Sequence, residues 1–402
     1  MNASLAPSRH CSHVGLRRVA GYVRATSLSL AWMISASSCA VSRAPSTAQN
    51  TDTLRTLDVL ERKICLTIGA RTYSPADRCE SRVDRPTYVQ PLFDVYRAAP
   101  PIVKAYLCSL DRIYLDDQLI WNADFRITTD PRTQREYRTI GVRRGLLERK
   151  VGYIDWASGW TQHWWTGASI DRPGNDPTLP RVESDLQSSR DVLFHLLAHE
   201  VAHVLAYDYR AVVRRQPSNK AFEPGDFGFL SWISPGYSDS TGWHGAVARE
   251  PAVQAVRTLD FDGNVSARVA MRTAMEKQGT VWDAGVHEIA NWQPAPREGI
   301  STFLEQLGPS SFTTVFSTWQ PQDDWTESFA MMMLATIATR IDIVSADGGR
   351  RRILQKVSDA KSAFAPKREF IQQVIDRALT DMRARQVVAP DACFAAALEL
   401  HG

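Results

Sequence analysis

The sequence predicts an α+β fold: a small sheet in the first half, one long central helix, and a mostly helical second half. Three observations carry this. Alternating apolar and polar runs fall at Arg112–Asp117 and Tyr137–Val142. Residues 190–207 run without Gly or Pro, and Leu193, Leu196, Leu197, Val201, Val204 and Leu205 give them an apolar surface. Helical patches recur at 246–258, 265–277 and 323–334. With 402 residues, 44% of them hydrophobic, the chain can bury one large core or two modest ones.

Taken in order, the chain opens with Arg17, Arg18 and Arg24, then the short apolar run Leu28–Ile34, then small residues up to Cys39. This pattern predicts an export signal over 1–39. The residues before Cys39 are similar to a bacterial lipoprotein box, with Ala36 where Leu is usual, which implies membrane attachment through a lipidated Cys39 in the cell envelope; ordinary signal cleavage nearby, giving a periplasmic or secreted protein, and an N-terminus without a signal are the alternatives. Residues 40–54 are small and polar, as a tether is. Residues 55–67 and 95–110 read as helices, 112–117 and 137–142 as strands, 143–149 as a short helix and 151–155 as a strand. Trp156–Trp165 reads as aromatic packing beside the sheet rather than a carbohydrate or membrane platform. A Pro/Gly/Asp loop at 172–180 precedes the central helix, which Ser188 or Ser189 can cap. Residues 208–245 read as loop, Asp260–Asn264 as a plain turn and not a calcium loop, and Arg350–Arg352 as a solvated turn.

Cys65, Cys79, Cys108 and Cys393 remain after the signal, an even number that allows three pairings in an oxidising compartment. Cys65–Cys79, closing a short loop around Pro75, and Cys108–Cys393 are the favoured pair. Four buried thiols are the alternative. Net charge is +3, which gives no footprint for nucleic acid. No run of about twenty apolar residues suggests a membrane span. Nothing in the sequence fixes an oligomeric state.

The chemistry lies in His199-Glu200-Val201-Ala202-His203, an H-E-x-x-H run inside the central helix. Residues i and i+4 share a helix face, so two imidazoles can hold one Zn²⁺ and the carboxylate beside them can reach a water on it. His195 falls one turn earlier on the same face and reads as a packing or supporting residue. Met331–Met333 reads as buried helix, not a metal box. A third protein ligand is needed. No Gly and third His follow at metzincin spacing, which leaves a downstream Glu: Glu223, Glu250, Glu288, Glu298, Glu305 or Glu327. Glu223 is followed by Pro224-Gly225, a poorly ordered seat for a ligand. Glu327 stands in an apolar helix expected to be capped by Asp323 or Asp324.

H-E-x-x-H followed far downstream by Asp323-Asp324-Trp325-Thr326-Glu327-Ser328-Phe329-Ala330 resembles the gluzincin class of zinc peptidases, whose third ligand stands in a similar helix. The resemblance implies a zincin-like fold over 55–402, with an insertion at about 208–300. It implies zinc on His199, His203 and Glu327, with Asp324 supporting a ligating His. It also implies Glu200 as general base in hydrolysis of a protein or peptide substrate. A donor to the tetrahedral oxyanion is expected among Tyr237, His244 and His287, with His244 first. The alternatives are a non-catalytic, zinc-containing envelope lipoprotein and an interaction module.

Overall fold

The computed structural model describes most of residues 58–166, 178–212, 222–251, 303–388 and 392–398. The expected signal, linker, Asp260–Asn264 turn and helical patch at 265–277 lie outside them, as do His287, Glu288 and Glu298. Residues Thr47–Gly402 form one unit. Its fold is mixed α+β, as the sequence predicts.

A helix over 58–63 (α1) leads straight into strand β1, Ile64–Thr67, buried along its whole length. The expected helix over 55–67 is therefore corrected. A strand buried on both faces is a continuous apolar run, which periodicity cannot separate from a buried helix. The expected helix over 95–110 is two helices, α2 (Gln90–Ala98) and α3 (Pro101–Ser109). Ala99 and Pro100 are both extended, because each precedes a proline and is pushed out of the helical region. Strands β2 (Arg112–Asp116), β3 (Ala123–Thr129) and β4 (Glu136–Arg143) complete the first sheet. Its order is β1-β2-β4-β3, parallel except for β3, which runs antiparallel to β4 at the edge. The half-buried β3 carries no clean alternation, and the sequence reading did not find it.

Helix α4 (Arg144–Glu148) falls where expected, but the expected strand over 151–155 is the start of a helix, α5 (Tyr153–Thr166). Trp156 and Trp160 stand one turn apart on α5, Trp156 buried and Trp160 packed edge-on to Phe316. Strand β5 (Arg181–Ser184) precedes the central helix α6 (Ser189–Tyr209). Ser188 caps α6 in a reciprocal box: its hydroxyl accepts the Asp191 N–H and its own N–H donates to the Asp191 carboxylate. Every residue from Asp191 to Ala202 is buried. Such a helix is enclosed on all sides, here by α2, α3, β3 and the later helix α7 (Pro321–Leu334).

Between α6 and α7 the described residues hold two strand pairs, β6 (Trp232–Ser234) with β9 (Val247–Ala248), and β7 (Tyr237–Asp239) with β8 (Gly242–His244). The helical patch expected from 246 therefore begins as strand. After α7, strand β10 (Ile341–Val344) lies between β5 and β11 (Arg350–Arg352) in an antiparallel sheet. Arg350–Arg352 is thus a strand and not a turn: Arg350 reaches Asp342 at 2.7 Å and Glu183 at 2.8 Å across it. Helices α8 (Ile353–Ser358), α9 (Ala365–Val388) and α10 (Ala392–Ala397) follow. Both favoured disulfides are formed, Cys65–Cys79 and Cys108–Cys393. They fit an oxidising, exported setting. No described helix is long and apolar enough to cross a membrane.

Candidate metal centre

Helices α6 and α7 and the edge strand β3 enclose a cleft of about 310 Å³. Ala123 and Asp124 of β3, with Asn122 just before it, form one wall, Trp156, Trp160 and Phe316 an aromatic wall, and His199, Glu200 and His203 the floor on α6. Gln320, Asp323 and Glu327 enter from α7. An indole bond fixes the two helices against one another: Trp325 Nε1 donates to the Ala202 carbonyl at 2.8 Å, between the two histidines in sequence.

His199, Glu200 and His203 each offer a ligand atom, all within 4.8 Å of one another, so the three can hold a metal ion. His199 and Glu200 are buried and His203 is half-buried. Burial, joined by the charges of Asp124 and Asp323, pushes the Glu200 carboxyl well up; one N–H, from Phe125 on β3, opposes it. Glu200 Oε2 is buried with no hydrogen-bond partner. Burial and neighbouring His199 push the His203 imidazole down, toward the neutral form that a metal requires. An orphaned buried carboxylate oxygen beside two closely spaced imidazoles is costly as it stands and fits a cation.

Glu327 lies in this cleft, bonded as follows. Its Oε1 is 2.9 Å from His199 Nδ1 and 3.2 Å from His195 Nε2, and its Oε2 accepts the Thr314 hydroxyl at 2.9 Å. Burial alone would raise the Glu327 carboxyl; His195 and His199 outweigh it and hold the group below the usual carboxylate range. His195 continues the chain backward, its Nδ1 3.1 Å from the Tyr153 hydroxyl, whose own titration burial pushes far up. Gln322 lies 3.3 Å from His203 Nδ1.

The other sequence candidates fall elsewhere. Glu223 is exposed on a turn closed by Asp226, and Glu305 is exposed. Glu250 accepts the N–H and hydroxyl of Ser311. Asp324 does not support a histidine as expected. It is fully buried, with Lys367 Nζ at 2.7 and 2.8 Å and the Trp232 indole N–H at 3.0 Å. Neither Asp323 nor Asp324 caps α7; the cap position is Gln320, with Pro321 first in the helix and both aspartates in its first turn. Tyr237 and His244 stand opposite one another in the β7–β8 hairpin. The description there covers the backbone, so their side chains lie outside it.

Sequence reading missed Asn122, Asp124, Tyr153, Thr314 and Gln322. Asp124 sits on the strand that gave no periodic signal and Asn122 just before it, and the others reach the site only through packing. Set against known proteins, the chain matches no protein-family model, no curated protein and no solved structure.

Proposed function

We propose that this chain is a zinc-dependent hydrolase of peptide bonds with a zincin-like arrangement of helix and edge strand. The observation that carries it is Glu200. A carboxylate with a partnerless buried oxygen, set between two imidazoles in an open cleft, is poised for proton transfer and has no structural use. His199, His203 and a carboxylate of α7 hold the ion; the sequence match gives that last place to Glu327.

Bound there, zinc supplies Lewis-acid polarisation of the scissile carbonyl and lowers the pKa of water toward about 7. Glu200 takes the proton of the attacking water and delivers it to the leaving amine. The outer edge of β3, where the Phe125 N–H meets Glu200, offers backbone groups to an extended peptide, which can add to the sheet as a further strand. Trp156, Trp160 and Phe316 give its side chains an apolar wall. His244 is the proposed oxyanion donor. A non-catalytic zinc protein fits less well: structural zinc favours closed, cysteine-rich sites, and the four cysteines after the signal are spent in disulfides.

The test measures zinc content of the full chain and hydrolysis of a quenched-fluorescent peptide library, in parent, Glu200→Gln and His244→Ala. About one zinc per chain is expected in all three. Hydrolysis should be abolished in Glu200→Gln and cut roughly 10²–10³-fold in His244→Ala. A parent without zinc after reloading, or a Glu200→Gln chain that still cleaves, overturns the reading. Unchanged turnover in His244→Ala removes only the oxyanion assignment.

A further inference from the structure

The two ring nitrogens of an imidazole point away from one another. A histidine that presents Nε2 to a metal ion commonly gives its Nδ1–H to a carboxylate behind it, which fixes the tautomer and the ring plane. Glu327 occupies that rear position on His199, 2.9 Å from Nδ1. The same oxygen meets His195 Nε2, so both lone pairs of Oε1 are engaged, and the second oxygen holds Thr314. His195 is matched to this arrangement: the Tyr153 hydroxyl donates to its Nδ1, leaving Nε2–H to donate to Glu327. With its carboxylate behind the ring, Glu327 faces away from an ion on His199 Nε2.

Another α7 side chain is free for the ion. Asp323 stands one turn before Glu327 on the same helix face. It is buried, with 4% of its surface exposed, lines the cleft with His199, Glu200 and His203, and its Oδ2 has no hydrogen-bond partner. Gln320 holds the carboxylate through a side-chain hydrogen bond. The residue between them, Gln322, lies against His203 Nδ1. The amide nitrogen Nε2 makes this contact; with the amide turned over, its oxygen accepts Nδ1–H and leaves Nε2 of His203 for the ion. One helix thus carries a contact to each histidine, at 322 and 327, and between them a carboxylate with one unpartnered oxygen.

We propose that Asp323 is the third protein ligand of the metal, and that Glu327 is a positioning residue that fixes His195 and His199. This rests on the metal-site reading above and replaces Glu327 in the ligand set. Both oxygens of Glu327 have partners, three in all, while Asp323 keeps one oxygen with none.

Thiolate substitution tests it in the full chain loaded with Co²⁺, by absorbance. A cysteine that ligates Co²⁺ gives a thiolate-to-metal charge-transfer band in the near ultraviolet; one beside the site does not. The band is expected in Asp323→Cys and absent in Glu327→Cys. In parallel, the isosteric Glu327→Gln chain should lose roughly 10–100-fold in zinc affinity, the usual effect of removing a supporting partner. Asp323→Asn should lose more. A band in Glu327→Cys, or no band in either while the parent binds Co²⁺, overturns the assignment and leaves the hydrolase reading standing. A parent that takes up neither Co²⁺ nor zinc removes both.

Discussion

At the residue scale, the polar groups around the cleft are arranged by partner. Asp324 and Lys367 show this most clearly. Lys367 is fully buried, holds both oxygens of Asp324, and lies over the Phe312 ring at 4.4 Å. Asp324 is thereby committed to packing, while its neighbour Asp323 stays open to the cleft. Removing one member of a buried ion pair strands the other, at a cost of about 3–5 kcal/mol. Lys367→Met should therefore lower stability by about that amount, read as a shift in the urea unfolding midpoint. A midpoint unchanged from the parent would show that the pair contributes nothing net. The adjacent residues 323, 324 and 327 were one motif in the sequence; their three different fates follow from what each meets in space.

At the element scale, α6 was legible over 190–207, while its last residues, Asp208 and Tyr209, fall in the expected loop. Its apolar residues, its lack of Gly and Pro, and a serine cap at 188 or 189 stood in the sequence; the structure chose Ser188 and paired it with Asp191 in a reciprocal box. Ser188→Ala should cost about 1 kcal/mol and lower the thermal midpoint, because it removes the hydroxyl that bonds both the Asp191 N–H and the Asp191 carboxylate, leaving that N–H only the Ser188 carbonyl. An unaltered midpoint would mean that packing alone holds this end. Strands were harder. β1 is buried throughout and was read as helix, β3 is half-buried over most of its length and was not read, and Arg350–Arg352 is basic and was read as a turn. Each owes its conformation to a neighbour: β1 to β2, β3 to β4, and the arginine strand to β10.

At the scale of the whole molecule, the two disulfides tie distant parts of the chain. Cys108–Cys393 spans 285 residues and joins α3 to α10, which pack together. Cys65–Cys79 closes a loop of 14 beside the first sheet. Cross-links act mainly by limiting the unfolded chain, at about 2–5 kcal/mol each in native proteins. Dithiothreitol should therefore lower the thermal midpoint, and Cys108→Ala with Cys393→Ala should reproduce more of the loss than the Cys65–Cys79 pair does, since the closed loop is longer. Four alkylatable thiols in the native exported chain would remove the disulfides altogether.

The sequence by itself determined the α+β class, the central helix with His199, Glu200 and His203 on it, and an even set of four cysteines, whose pairing the structure then chose among three. These are local signals, set by spacing along one helix or by the parity of one residue type. Only the tertiary structure decided that an antiparallel edge strand walls the cleft, that His195 and Tyr153 stand behind Glu327, and that Asp324 belongs to Lys367. Those relations join residues up to 174 positions apart in sequence, as Tyr153 and Glu327 are across His195. No periodicity records which carboxylate oxygen will find a donor. Packing assigns the donors, and so separates a carboxylate bonded to two histidines from one that keeps an oxygen without a partner.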